Sequence, residues 1–220
     1  CLLLLPWAAH ADDASDFAAA NNSEQAQLLE NWAAHPTPAR VELINSLQQG
    51  LLTVDGAPQK LRLNNRLRGL IDTALASHQL LAADPKLRLV AAQQLQKSAK
   101  PAQLKFLDQQ LAAETDSDVH SALSLALANL QLADPDPAVR LAAVRLLGET
   151  GEPLARTRLE SLLQPDVETD ASVRTAAETS LAQVNRKLLI GDVLGQAFSG
   201  LSLGSILLLA ALGLAITFGL

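Results

Sequence analysis

The sequence contains no methionine and no tyrosine, and its aromatic residues, four phenylalanines and two tryptophans, make up only 3% of 220 residues. A core without aromatic bulk must be assembled from Leu, Ala, Val and Ile. Leu and Ala are strong helix formers, so the expected fold class is all-α. Cysteine occurs once, as Cys1. One thiol cannot close an internal disulfide, and if residues 1–11 are removed, thiol catalysis and cysteine-based metal sites are excluded as well. Charged residues are only 18% of the chain and the net charge is −6. Without a dense Lys/Arg stripe, that balance argues against nucleic acid as a partner. Charge is scarcest at the C-terminal end. No Asp, Glu, Lys, Arg or His follows Asp192, which leaves 28 uncharged residues from 193 to 220.

What is present begins with CLLLLPWAAHA. An apolar run from Leu2 to Leu5, the helix breaker Pro6 and the small-x-small triplet Ala9-His10-Ala11 match the end of a secretion signal. Residues 1–11 are therefore expected to be a signal remnant, with the mature chain opening at Asp12. A truncated membrane helix and a lipid-anchored Cys1 are the other readings of the same run.

The middle of the chain is expected to be helical. Residues 16–34 carry an apolar stripe through Leu28, Leu29 and Trp32, and a second helix is expected from Ala39 to Gln49. In LLTVDGAPQKLRL, residues 51–63, two short apolar stretches flank Asp55-Gly56, which predicts a small hairpin. Helix resumes in NNRLRGLIDTALA. These elements form an N-terminal region, residues 12–83.

From residue 84 a pattern recurs. Asp84, Asp116, Asp136 and Asp170 each stand three residues before Leu87, Val119, Val139 and Val173, and each of those precedes Arg88, His120, Arg140 or Arg174. Aspartate can cap the free N–H groups of a first helical turn, and Pro85 and Pro137 fit a position that needs no N–H. Six helices are predicted, at 85–97, 101–113, 118–131, 136–148, 153–163 and 171–186. Taken in consecutive pairs they make three hairpins at intervals of 33 to 35 residues, a stacked two-helix repeat over residues 84–187. The stretch DPDPAVRLAAVRLLGETG resembles HEAT-type repeats. Arg88, Arg140 and Arg174 are expected to be solvated or to bridge hairpins rather than to bind a ligand.

No pattern of residues points to catalysis. His10, His35, His78 and His120 are far apart, and no HxxxH pair, GxGxxG, GxxxxGK[ST] or GxSxG motif occurs. The reading is a non-enzyme with no catalytic residue, no cofactor and no metal. A repeat-containing enzyme of the lyase type is the weakest reading.

The uncharged tail is long enough to cross a bilayer: 28 residues of helix measure about 42 Å against a hydrocarbon core of about 30 Å. Gly200, Gly204, Ala211, Ala215 and Gly219 fall within about 100° of one helical face, a surface on which another membrane helix could pack closely. The stretch QAFSGLSLGSILLLAALGLAITFGL resembles the opening helix of the permease subunits of branched-chain amino acid ABC importers, the LivH type. Together with a secretion signal, a helical-repeat region and NNRLRGLIDTALA, it resembles the urea-permease subgroup of that family. The resemblance implies that residues 193–220 are the first transmembrane helix of a permease domain that continues beyond them. It also implies an inner-membrane location with residues 12–187 in the periplasm. A second permease subunit, cytoplasmic ATPase subunits, a periplasmic binding protein and membrane lipid would be the partners, and urea, a related small amide or a branched-chain amino acid the cargo. The family's Asn-x-Ala-His-Gly stretch after the first helix is not in this sequence. The alternative is an exported HEAT-repeat scaffold held by a single C-terminal anchor. Arg186 and Lys187, just before the tail, would lie outside, against the positive-inside tendency.

Overall fold

The computed structural model describes the backbone of residues 8–54 and 56–219, and the side chains of that range except 8–12, 215 and 218. Residues 1–7 of the expected signal and Asp55 of the expected turn lie outside it. Among the described residues the fold is all-α apart from one hairpin. The chain divides into two units, residues 1–146 and 147–220.

The first unit begins with α1 (Ala8–Ala19) and α2 (Asn22–Ala34). Residues 16–34, expected as one helix, are split because Asn21 forms a capping box. Its Oδ1 accepts from the N–H of Ser23 and Glu24, while the Glu24 carboxylate accepts from the Asn21 N–H at 2.8 Å. α1 itself runs without a break across the expected cleavage point between Ala11 and Asp12. A 3-10 turn at Pro38–Arg40 leads into α3 (Val41–Gln48). Strands β1 (Leu51–Val54) and β2 (Ala57–Lys60) then pair antiparallel, with Val54 opposite Ala57, so the two-residue connection falls where the sequence predicts it. Gly56 supplies the positive φ of +79° that such a turn demands. The first core forms around Phe17, Leu29, Trp32, Ile44, Leu52 and Ile71. Phe17 and Trp32 stack with centroids 5.8 Å apart.

Five helices follow: α4 (Asn65–Gln79), α5 (Pro85–Ser98), α6 (Leu104–Ala113, entered through a 3-10 turn at Pro101–Gln103), α7 (Ser117–Gln131) and α8 (Pro137–Glu149). Asp84, Asp116 and Asp136 cap as expected: each accepts through Oδ1 from the N–H two residues on, at 2.9 to 3.0 Å. A second core of Leu80, Leu95, Leu107, Val119, Leu123 and Leu127 fills this part.

The helices of 153–163 and 171–186 pack as expected, but the grouping before them differs from the expected hairpins. α5 packs against α4 and α7, and α6 packs against α7. The repeating unit is three helices long. Asp84-Pro85, Arg88-Leu89, Ala91, Leu95, Pro101 and Leu107 recur 52 residues later as Asp136-Pro137, Arg140-Leu141, Ala143, Leu147, Pro153 and Leu159. Thus α4–α5–α6 corresponds to α7–α8–α9, with α9 at Pro153–Leu162. Glu114-Thr115-Asp116 returns as Glu168-Thr169-Asp170 ahead of a third copy of the first helix. Burial explains why α4 and α7 open each unit. Residues 73–78 of α4 and 122–128 of α7 are buried without interruption, so these helices are covered on all sides. α5, by contrast, leaves Leu87 and Val90 exposed. A hairpin of two equivalent amphipathic helices would not show that contrast.

The second unit holds the end of α8, α9, and α10 (Ala171–Phe218). Ala155 and Leu159 of α9 are buried, as are Val173, Ala177 and Val184 of α10, and the two helices pack together. Asp170 caps α10 through Ser172 and Val173. At Gly148 a Cβ would lie 2.7 Å from Ser180 Oγ, so glycine there permits close approach to α10. The expected gap between a repeat helix ending at 186 and a membrane helix starting at 193 does not exist. α10 is one helix of 48 residues, about 72 Å long. No proline follows Pro165, and the glycines at 191 and 195 weaken a helix without breaking it.

Candidate membrane-spanning segment

α10 changes character along its length. Up to Val184 it carries one buried apolar stripe, Val173, Ala177 and Val184. From Leu189 onward every described side chain is exposed. Fourteen large apolar side chains stand out from the helix there, from Leu212 at 51% exposure to Ile216 at 82%. Covering them is worth on the order of 20 kcal/mol at roughly 1.5 kcal/mol each. The helix is long and apolar enough to cross a membrane: Ala171–Leu214 includes an 18-residue window of mean hydropathy 2.0 with none of that window buried.

The polar side chains in this segment suit lipid. Ser205 donates to the Leu201 carbonyl at 2.8 Å and Thr217 to the Gly213 carbonyl at 2.7 Å. Such bonds to the preceding turn satisfy these two hydroxyls without water. Asp192, the last charge, stands seven residues before Ser199, about 10 Å along the axis, which puts it at headgroup level when residues 199–218 span.

Of the five small residues singled out for helix packing, Gly200, Gly204 and Ala211 share one helical face, and Ala211 is exposed. Nothing stands within 4 Å of a Cβ placed at Gly200 or Gly204. The side chain of Ala215 lies outside the described residues. Gly219 follows the last helical residue, Phe218, with φ +67°.

The other residues weighed for chemistry are built into the fold. Arg88 grips Glu114 with two bonds of 2.8 Å and donates through Nη1 to the carbonyls of Ala82 and Ala83. Arg140 repeats the second contact with Asp134 and Pro135, and Arg174 donates to the carbonyls of Glu168 and Leu163. All three tie down the loop preceding their own helix. The Arg88 guanidinium holds the Glu114 carboxyl down at about 2. His78 is buried in α4. Its Nδ1–H donates to the Ala74 carbonyl at 2.7 Å, and burial pushes its pKa below the ordinary value. Its Nε2 has no partner among the described residues. His35 and His120 are elsewhere, and no three potential metal ligands come together among the described residues. A surface cleft of about 460 Å³ is lined by His35, Thr37, Lys105, Phe106 and Gln109, and another of about 500 Å³ by Asp16, Glu24, Gln27 and Asn31.

Two features escaped the sequence reading. One is a buried polar seam, in which Gln103 donates to Ser77 Oγ at 2.6 Å and Ser77 donates to the Thr73 carbonyl. Nothing in the sequence separates these residues from surface polar ones. The other is a local run of positive charge, Lys60, Arg62, Arg66 and Arg68, hidden by the negative total. No protein-family model matches the chain, and no curated protein matches it.

Proposed function

We propose that this chain is a membrane-inserted transport component: the front part of a permease subunit of an ABC importer for urea, a related small amide or a branched-chain amino acid. The observation that carries the reading is α10, one helix whose first half is packed into a folded unit and whose second half is apolar and uncovered. Residues 12–187 would then form a periplasmic region, and residues 193–220 the first helix of a bundle. The open face at Gly200, Gly204 and Ala211 would receive a neighbouring helix, since close backbone approach replaces hydrophobic driving force within lipid. The resemblance of residues 196–220 to the LivH-type opening helix supplies the cargo class and the partners: a second permease subunit, the ATPase subunits and a binding protein. No cofactor is assigned to this chain.

The second reading is an exported scaffold with a single anchor, favoured by a repeat domain with cores of its own. Extraction of membranes with alkaline carbonate tests insertion, and release of the full-length protein into the supernatant would refute it. Uptake of labelled urea, in competition with small amides and branched-chain amino acids, tests transport. Insertion without uptake, in cells that carry the importer's other subunits, would leave the anchored scaffold.

A further inference from the structure

We propose that His78 is an acid-sensitive latch between the two cores of the first unit, closed while its ring is neutral and released when the ring takes a proton. α4 belongs to both cores: Leu67, Leu70, Ile71, Ala74 and Leu75 lie in the first, Ala76 and Leu80 in the second. His78 stands where the helix passes from one core to the other, and it is 1% exposed. Beside it, Ser77 Oγ accepts from the Gln103 amide at 2.6 Å, a buried bond that ties α4 to the 3-10 turn before α6.

The ring is built in as a neutral base. Nδ1–H donates to the Ala74 carbonyl, and Nε2 is buried with no partner among the described residues. A proton taken up at Nε2 would place a charge in a buried site, with no acceptor there for the new N–H. No neighbouring charge compensates. The helices packed against α4 are α2, α3 and α5, which carry Glu24, Glu30, Glu42, Lys86, Arg88 and Lys97. None of these acts on the ring, nor do Arg66, Arg68 and Asp72 of α4 itself. Arg40, in the 3-10 turn before α3, does act on it, and its positive charge opposes a second one.

Burial holds the folded ring below the ordinary value of 6.5, so the opened form takes its proton at a higher pH than the closed form does. The closed state is therefore fully favoured above about pH 6.5 and weakens as pH falls below it. With one proton gained on opening, and a ring that stays neutral while closed, the opening equilibrium rises about tenfold from pH 7.5 to 5.5. That window lies above the one in which the Glu114 carboxylate titrates. What opens is the end of α4, together with the Ser77–Gln103 bond, which lets the two cores part while each keeps its own packing.

The test is hydrogen exchange of the full-length, detergent-solubilised chain from pH 7.5 to 5.5, corrected for the intrinsic pH dependence of exchange and read peptide by peptide. Protection of residues 74–82 should fall about tenfold over that range, whereas residues 173–184 of the second unit should keep theirs. His78→Gln cannot take the proton and should hold its protection constant, while His35→Gln and His120→Gln should behave as wild type. The ring itself, followed by nitrogen NMR in the wild-type chain, should remain the neutral Nδ1–H tautomer below pH 6.5; this measurement needs no variant and decides the matter if His78→Gln does not fold. Three results would each overturn the latch: a ring that titrates at 6.5 or above with α4 still protected, an acid loss that persists in His78→Gln, or a loss shared equally by residues 173–184.

Discussion

Replacing Glu114 with Gln tests whether the repeat region depends on its Arg88 clamp. The carboxylate accepts two bonds from Arg88 and, through Oε1, the N–H groups of Thr115 and Asp116 at 2.9 Å. Its side chain is 6% exposed and that of Arg88 17%. The carboxyl is held at about 2 against an ordinary 4.5. A depression of about 2.5 pKa units corresponds to roughly 3 kcal/mol at full effect. Water reaches the Arg88 end, so about 2 kcal/mol is the expected loss in Glu114→Gln at pH 7, part of it from leaving Arg88 unpaired. Because the folded value lies below the unfolded one, this stability is complete above about pH 4.5 and is lost as pH falls towards 2. Urea unfolding of the detergent-solubilised chain, followed by circular dichroism, should show wild type and variant separated at pH 7 and converging by about pH 2.5. Other carboxyls titrate in both proteins and cancel in the difference. A variant as stable as wild type at pH 7, or a gap that persists in acid, would refute the reasoning.

Gly148→Ala should destabilise the second unit by about 1–3 kcal/mol, because the new methyl meets Ser180 Cβ at 2.9 Å, and adding Ser180→Gly should restore most of the loss. Failure of that rescue in thermal unfolding would show that the contact is not the cause. In the full-length protein, Gly200→Leu or Gly204→Leu should lower membrane yield and uptake, whereas Gly213→Leu, on the opposite face, should matter less. Equal behaviour of the three would remove the packing argument. Residues 12–187 alone should be soluble and mainly helical by far-UV circular dichroism, and a strand-dominated spectrum would contradict the fold. Sequencing of the protein from membranes should begin at Asp12, and an intact Cys1 would disprove cleavage.

Much of the secondary structure was legible because its signals are local. The aspartate caps, the prolines at the first helical position, the Asp55-Gly56 turn and the uncharged run after Asp192 act within a few residues of chain. The Asn21–Glu24 capping box is equally local, and it divides the stretch 16–34 ahead of the stripe Leu28, Leu29 and Trp32. The small residues at 200, 204 and 211 could be placed on one face by counting.

By itself, the sequence determined the starts that aspartate or proline marks, that the fold is all-α, and that one segment is long and apolar enough to cross a membrane. The 52-residue recurrence of the three-helix unit is present in the sequence, but tertiary structure decided which of those helices are enclosed. Spacing allowed hairpins of about 34 residues, but the unbroken burial of residues 73–78 and 122–128 makes α4 and α7 the enclosed helices of a three-helix unit. Tertiary structure also decided that Arg88 pairs with Glu114, 26 residues away, and not with a nearer acid. Helix caps and turns are short-range interactions that neighbouring residues satisfy, whereas burial and ion pairing depend on which distant surfaces meet. The continuity of α10 joins the two scales. Nothing in residues 187–193 stops a helix, and the packing of Val173, Ala177 and Val184 in its unit fixes the end from which the apolar half extends.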